Sequence, residues 1–153
     1  SAASDVYKRQ GMDSIKMMHD HLSETAGESY DPQSVARRYA ELGVRLDALE
    51  MLEARALTAA EGSGESMILP LPLKLLGTDL QQDVADLSID ILGDSALPRV
   101  GHGFGEGESG NEPSIREQGP GAMRGMLSGR ASTIYGGTSE VQRGIMSKFV
   151  LGL

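Results

Sequence analysis

The chain of 153 residues has the length of one domain, and its 14 Lys+Arg against 22 Asp+Glu give a formal net charge of -8, which argues against non-specific nucleic-acid binding. With 39% hydrophobic residues the chain can build a core, so wholesale disorder is excluded. The absence of Cys excludes disulfides, Cys-ligated zinc, iron–sulfur clusters and a thiol nucleophile, and no apolar run approaches the ~20 residues of a membrane helix.

The first ten residues, SAASDVYKRQ, resemble the translated read-through of a sequencing adaptor. We therefore interpret residues 1–10 as a non-native leader that lies outside the fold. A frayed polar N-terminus is the alternative interpretation. The chain begins with Ser1 and stops at Leu153 inside an apolar run, so we expect it to be a piece of a longer protein.

Hydrophobic spacing predicts three helices in the first two thirds of the chain. The first covers residues 11–26 and places on one face Met12, Ile15, Met18 and Leu22. The second starts at an Asp31-Pro32 cap, ends near Ala60 and carries the stripe Val35, Tyr39, Leu42, Leu46, Leu49 and Leu52. The third follows Pro70 and Pro72, stops at Gly93 and carries Leu73, Leu76, Leu80, Val84, Leu87 and Ile91.

Residues 94–122 are rich in Gly and poor in large apolar side chains, which predicts a long loop. A short helix over 122–133 and a last helix over about 139–150 follow, the last with Val141, Ile145 and Phe149 on one face. No segment is typical of a strand. The sequence therefore predicts an all-α domain, an antiparallel bundle of four to five helices spanning residues 11–153.

Several residues with side chains that could bind a ligand or metal are not expected to form a site. His19 and His21 are two residues apart and lie on different helix faces, so no metal site is expected. Glu50 and Glu53 are expected on a solvated helix face, and His102 in a solvated loop. The loop over 98–121 is interpreted as a surface insertion, with a lid over a pocket as the alternative.

The segment Ile134-Tyr135-Gly136-Gly137-Thr138-Ser139-Glu140 is the strongest candidate for a binding site. Two glycines precede a helix start, so a ligand can approach the backbone closely. Ser139 and Gln142 have the capping-box spacing, and the free N–H groups of a first helical turn suit phosphate oxygens. On spacing alone, a nucleotide-phosphate cradle and a plain glycine turn before a well-capped helix are both open.

Residues 134–153, IYGGTSEVQRGIMSKFVLGL, closely resemble the C-terminal signature of acyl-CoA dehydrogenases, a run such as IYGGTSEIQRNIIAKRVLGL. Residues 74–93 and 35–60 are similar to the two preceding long helices of that family. The resemblance implies the C-terminal helical domain of a flavoenzyme, with the N-terminal helical domain and the middle β-domain missing. Family members oxidise an acyl-CoA thioester to the trans-2-enoyl product: a carboxylate takes the α-proton and the β-hydrogen leaves as hydride to N5 of FAD.

The resemblance also implies roles for single residues. Thr138, Ser139 and Glu140 would contact FAD, often that of a neighbouring subunit, and Gly137 would lie beside the acyl-CoA. Gly136 occupies the position of the usual catalytic Glu, so no catalytic residue is assigned. The base is expected upstream of Gly11, as in a second group of the family.

One difference from the family's sequence pattern affects the FAD contacts that the resemblance implies. The family's Gln-x-x-Gly-Gly-x-Gly-Tyr run is replaced by residues 90–97, where only Gly93 is kept and Asp90 and Asp94 would face a diphosphate unfavourably. FAD contacts from this region are therefore doubtful.

The implied partners are an acyl-CoA substrate, a neighbouring subunit in a homo- or hetero-oligomer and an acceptor such as electron-transferring flavoprotein. Neither nucleic acid nor a membrane span is expected. The implied compartment is the cytoplasm, with the mitochondrial matrix as an alternative, and the chain alone is expected to be inactive. A non-catalytic partner subunit or helical interaction module is the second interpretation, and a plain helical bundle unrelated to flavin is the third.

Overall fold

A computed structural model of the chain describes the backbone of residues 2–25, 30–96 and 115–152. Within these ranges all regular structure is helical. The helices are α1 (Ala2–Thr25), α2 (Pro32–Thr58), α3 (Gly64–Ile68), α4 (Pro70–Leu92), α5 (Ile115–Gly129) and α6 (Ser139–Leu151), with 3-10 turns at Gly93–Ala96 and Arg130–Thr133. Five longer helices and one short one confirm the expected all-α bundle.

Helix α4 is central to the fold. It contacts α1, α2, α3, α5 and α6, and α1 and α2 also pack on each other. Ile15, Leu80 and Leu87 are fully buried where these helices meet. Each such side chain contributes about 1.5–3 kcal/mol by leaving water. The predicted stripes of the first three helices supply most of this core, which comprises Met12, Ile15, Met18, Leu42, Leu46, Leu49, Leu80, Val84, Leu87, Ile91, Leu92 and Ala96.

Cross-helix ion pairs show that neighbouring helices are antiparallel. Arg38 and Arg45 of α2 pair with Asp90 and Asp83 of α4, at 2.6 and 2.5 Å. Because the lower number on α2 meets the higher number on α4, the two helices run in opposite directions.

The N-terminal end of α1 likewise lies near the C-terminal half of α2, where Arg9 pairs with Glu50. At the other end of this pair of helices, His19 Nδ1 lies 2.8 Å from the Tyr30 hydroxyl. Helices α1 and α2 are therefore antiparallel as well.

The predicted start of α2 and the predicted end of α4 are confirmed. The Asp31 carboxylate accepts hydrogen bonds from the N–H groups of Gln33 and Ser34, at 3.1 and 3.2 Å, and Pro32 opens α2. Helix α4 begins at Pro70 and stops at Gly93, whose φ of 50° suits glycine.

Helix α1 departs from the prediction at its start. It begins at Ala2 rather than at Gly11, so the leader segment continues the helix. Glu50 was expected to be solvated, but its side chain is only 27% exposed, and its carboxylate pairs with Arg9. No helix of the described residues is both long and apolar enough to cross a membrane.

Helical structure extends into the predicted glycine-rich loop from both sides. The 3-10 turn Gly93–Ala96 extends the α4 side, and α5 begins at Ile115 rather than at Ala122. Residues 97–114, with His102 and most of the expected 98–121 loop, lie outside the described residues.

One core prediction was wrong: Leu76 is 49% exposed, whereas Leu75 is 8% exposed. At this end α4 is covered on the side of Lys74, whose ammonium group bonds to Thr133 and Gly137. Leu76 lies about 200° around the helix from Lys74, at 100° per residue, so it faces away from that cover.

Candidate functional site

Residues 134–138 form a tight connection, here called the glycine turn, between the 3-10 turn Arg130–Thr133 and α6. The N–H groups of Ile134 and Tyr135 donate to the Ala131 carbonyl, at 3.0 and 3.3 Å. Gly136 and Gly137 then have φ values of 68° and 99°. Side chains rarely tolerate such values, so the glycine pair is required by the backbone.

Thr138, rather than Ser139, caps α6. Its hydroxyl accepts from the N–H of Val141 at 3.3 Å, and Ser139 is the first helical residue. The capping box predicted for Ser139 and Gln142 is therefore wrong. The helix starts one residue earlier than that pairing requires, and the Gln142 side chain is engaged elsewhere.

Gln142 reaches back under the glycine turn. Its Nε2 donates to the Gly136 carbonyl at 2.8 Å, and the residue is 8% exposed. A Cβ added at Gly137 would lie 2.8 Å from the same Nε2, so the absence of a side chain there makes room for the amide. The other amide atom, Oε1, is buried without a hydrogen-bond partner in the structure.

Lys74 supports the turn from α4. Its Nζ donates to the Thr133 carbonyl at 3.1 Å and to the Gly137 carbonyl at 2.8 Å, in a part-buried position. Lys74 was not among the site residues predicted from the sequence. The available signal was a lone cation in the otherwise apolar run of residues 69–76, LPLPLKLL.

Glu140 adds a negative charge to the first turn of α6. Its own backbone N–H and then the Thr138 hydroxyl donate to the carboxylate, and Arg143 and Lys74 add positive charge nearby, so the pKa of Glu140 is lowered. The carboxylate is therefore ionised at neutral pH and acts only as an acceptor. It complements the positive end of the helix dipole.

The five residues predicted to matter, Gly136 to Glu140, are thus held in one structural unit. Nothing lies within 4 Å of the point where a Cβ on Gly136 would sit, so the turn is open above that glycine. The unit offers the N-terminal N–H groups of a helix, two hydroxyls and a side-chain-free approach to the backbone, which together fit a phosphate-bearing ligand. Gly136 itself carries no group that takes a proton.

The described part of the 90–97 segment, residues 90–96, is remote from the glycine turn. Lys74 contacts the turn at one end of α4 and Asp90 lies at the other, about 24 Å along the axis at 1.5 Å per residue. Asp90 is engaged by Arg38, so it is not a free charge. In the part of the chain that the structure describes, no cluster of three His, Cys, Asp or Glu residues has metal-binding geometry.

Apolar side chains on the glycine turn and α6 are exposed. The predicted face of α6 does not enter the core, because Val141 and Phe149 are 53% and 57% exposed. Ile134 and Tyr135 of the turn are exposed as well, at 64% and 69%. The turn therefore lies on an apolar surface of the chain.

Comparison with known proteins identifies the family. The model of "Acyl-CoA dehydrogenase, C-terminal domain" matches residues 12–151, which include all the helices of the bundle apart from the first ten residues of α1. No curated protein and no solved structure matches the chain. Since the family match covers far more than half of the sequence, the chain belongs to the acyl-CoA dehydrogenase family and corresponds to its C-terminal helical domain.

Proposed function

We propose that the chain is the FAD-contacting C-terminal domain of a flavoenzyme that oxidises acyl-CoA thioesters to trans-2-enoyl-CoA. The observation that carries this proposal is the glycine turn joined to the capped start of α6, in a chain of this family. FAD, when bound, would accept the β-hydrogen of the substrate as hydride.

Different residues at the start of α6 would bind different parts of FAD. Thr138 and Ser139 offer hydroxyls and first-turn N–H groups, which suit the diphosphate oxygens. The Thr138 hydroxyl would leave the Glu140 carboxylate to donate to the ligand. Glu140 is an acceptor, and its charge disfavours a neighbouring phosphate. It would therefore bind donor groups of FAD, such as hydroxyls or amines. Gly137, without a side chain, would leave space for the acyl-CoA.

The proton-abstracting base would come from another part of the protein. Gly136 stands where many family members have the catalytic Glu, so we assign no catalytic residue in this chain. We propose that the base lies upstream of Gly11, and that an acceptor such as electron-transferring flavoprotein reoxidises the flavin.

A neighbouring subunit would cover the exposed apolar side chains. Ile134 and Tyr135 lie in the turn that would contact FAD, Val141 lies in the first turn of α6, and Phe149 lies farther along that helix. A ligand bound at the turn would therefore be enclosed by a second chain. We therefore propose a homo- or hetero-oligomer in which the site is completed at the subunit contact.

Removal of the hydroxyls tests the proposal. In the full-length flavin-loaded protein, Thr138→Ala combined with Ser139→Ala should weaken FAD binding about tenfold or more, a loss of at least ~1.4 kcal/mol, because two donors to the ligand are lost. FAD retention is measured by equilibrium dialysis with fluorescence detection, and thermal unfolding is followed in parallel.

Asp31→Ala is the matched control, since it removes the N-cap of a different helix. This control should leave FAD retention unchanged while lowering stability. An equal loss of FAD in both variants would contradict a direct role for Thr138 and Ser139.

The second candidate function is a non-catalytic partner subunit, favoured by Gly136 in place of a base. Addition of acyl-CoA to the flavin-loaded protein separates the two. Bleaching of the flavin absorbance indicates a working dehydrogenase, whereas bound flavin that no acyl-CoA reduces indicates the partner subunit.

A further inference from the structure

Three consecutive carbonyls, those of Gly136, Gly137 and Thr138, each accept a hydrogen bond. Gly136 O accepts from Gln142 Nε2 and Gly137 O accepts from Lys74 Nζ, both at 2.8 Å. Thr138 O accepts the first backbone hydrogen bond of α6, from the N–H of Gln142 at 3.0 Å. All three carbonyls therefore point toward α4 or along α6.

Peptide planarity fixes where the following N–H groups point. In a trans peptide the C=O of one residue and the N–H of the next point in opposite directions, and the chain has no cis peptide bond among the described residues. The N–H groups of Gly137 and Thr138 therefore point away from Gln142 and Lys74. Successive backbone N–H groups in a turn can form a concave anion-binding arrangement.

The side chains of Lys74 and Gln142 both donate to the backbone of this region. Gln142 leaves its buried Oε1 without a partner while its Nε2 bonds to Gly136. An unpaired buried acceptor is unfavourable. The hydrogen bond from Nε2 to the Gly136 carbonyl therefore holds the amide in a position that leaves Oε1 unpaired. Lys74 is part-buried, and its ammonium group donates to two backbone carbonyls 59 and 63 residues away.

We infer that Lys74 and Gln142 are positioning residues that hold the glycine turn with its N–H groups directed toward the FAD phosphates. This inference rests on the proposed function and deepens it. Neither side chain is required to touch FAD. Their effect on binding is transmitted through the backbone of Gly136 and Gly137, and the charge of Lys74 adds to the positive end of α6.

Lys74→Met and Gln142→Met test the inference, because Met keeps most of the side-chain bulk and removes the donors. Two control variants are matched to Lys74→Met. Lys148→Met removes an exposed lysine from α6, and Asp31→Ala lowers stability at a distant helix end. All variants are made in the full 153-residue chain and in the full-length flavin-loaded protein.

The first measurement is backbone ¹⁵N relaxation of the 153-residue chain, without flavin. The parent should show order parameters near ~0.85 for Gly137 and Thr138, and Lys74→Met and Gln142→Met should lower them toward ~0.6. The two control variants should not change them. Unchanged order parameters in both Met variants overturn the inference, whatever the flavin result.

The second measurement is the FAD dissociation constant of the full-length protein. Lys74→Met and Gln142→Met should each raise it about tenfold, whereas Lys148→Met and Asp31→Ala should change it less than about twofold. If Thr138→Ala with Ser139→Ala weakens FAD binding but both Met variants bind normally, the positioning role is wrong and the proposed function stands. If none of these variants affects FAD, the proposed function fails as well.

Discussion

Gly137 illustrates how a single residue decides whether the candidate site forms. Its φ of 99° is unfavourable for any side chain, and its Cα faces the Gln142 amide. Gly136, with φ of 68°, faces open space instead. The two adjacent glycines are therefore required for different reasons. Gly136 is needed for backbone conformation alone, and Gly137 for conformation and for space.

Substitution of each glycine by Ala separates the two reasons. Gly136→Ala should lower the free energy of unfolding by about 1–2 kcal/mol, the cost of a left-handed conformation. Gly137→Ala should cost roughly 2–3 kcal/mol, because the new Cβ also displaces the Gln142 amide from Gly136 O. Urea denaturation of the 153-residue chain measures both.

A double variant isolates the steric contribution to the cost of Gly137→Ala. In a Gln142→Ala background the additional cost of Gly137→Ala should fall to that of Gly136→Ala, because the amide no longer opposes the Cβ. Equal costs for the two glycines in the parent chain would contradict the close contact between Gly137 and Gln142.

At the scale of elements, the starts of α2 and α6 are each fixed by a capping side chain. Asp31 caps α2 through two backbone N–H groups, and Thr138 caps α6 through one. Helix α4 has no side-chain cap and begins with Pro70. The start of α4 is instead held by tertiary contacts, among them the hydrogen bonds from Lys74 to the glycine turn.

Asp31→Ala should lower the free energy of unfolding by about 0.5–2 kcal/mol, because two N–H groups at the start of α2 lose their acceptor. Asp31→Asn should cost no more than a few tenths of a kcal/mol, since Asn caps about as well as Asp. Chemical denaturation monitored by circular dichroism measures the difference. Equal losses in the two variants would show that the charge of Asp31, rather than its cap geometry, stabilises the helix.

At the scale of the whole molecule, the contacts that residues 1–10 add indicate whether these residues belong to the fold. The family match begins at residue 12, and Met12 is the first core residue among those whose side chains the structure describes. Gly11 packs so closely on α4 that a Cβ there would lie 2.8 Å from Val84. Among residues with described side chains, Arg9 adds an exposed ion pair to Glu50, and such pairs contribute little to stability.

We propose that residues 1–10 are a non-native leader, so their deletion should leave the fold intact. The deletion should lower the free energy of unfolding far less than Ile15→Ala, which removes a fully buried side chain and should cost about 2–5 kcal/mol. Urea denaturation of the two variants provides the comparison. A deletion as costly as Ile15→Ala would show that the leader is an integral part of α1.

The helices and their buried faces follow from the sequence because their causes are local. The repeat of apolar residues at three and four positions, the Asp31-Pro32 start and the stop at Gly93 act within one or two helical turns. The glycine turn and its family signature are local too, so Gly136 to Glu140 were identified as a unit from the sequence.

Only the tertiary structure decided which residues support that unit. Lys74 meets Gly137 across 63 residues, and Gln142 points back to Gly136 instead of forming the capping box with Ser139. No spacing rule predicts a donor from a distant helix. The exposure of Leu76 and of the α6 face likewise depends on what packs against each helix, which periodicity along one helix does not determine. The sequence by itself determined most of the helices, the cap of α2 and the position of the candidate site, because short-range geometry dictates them. The support of the glycine turn was decided by the packing of α4 against it.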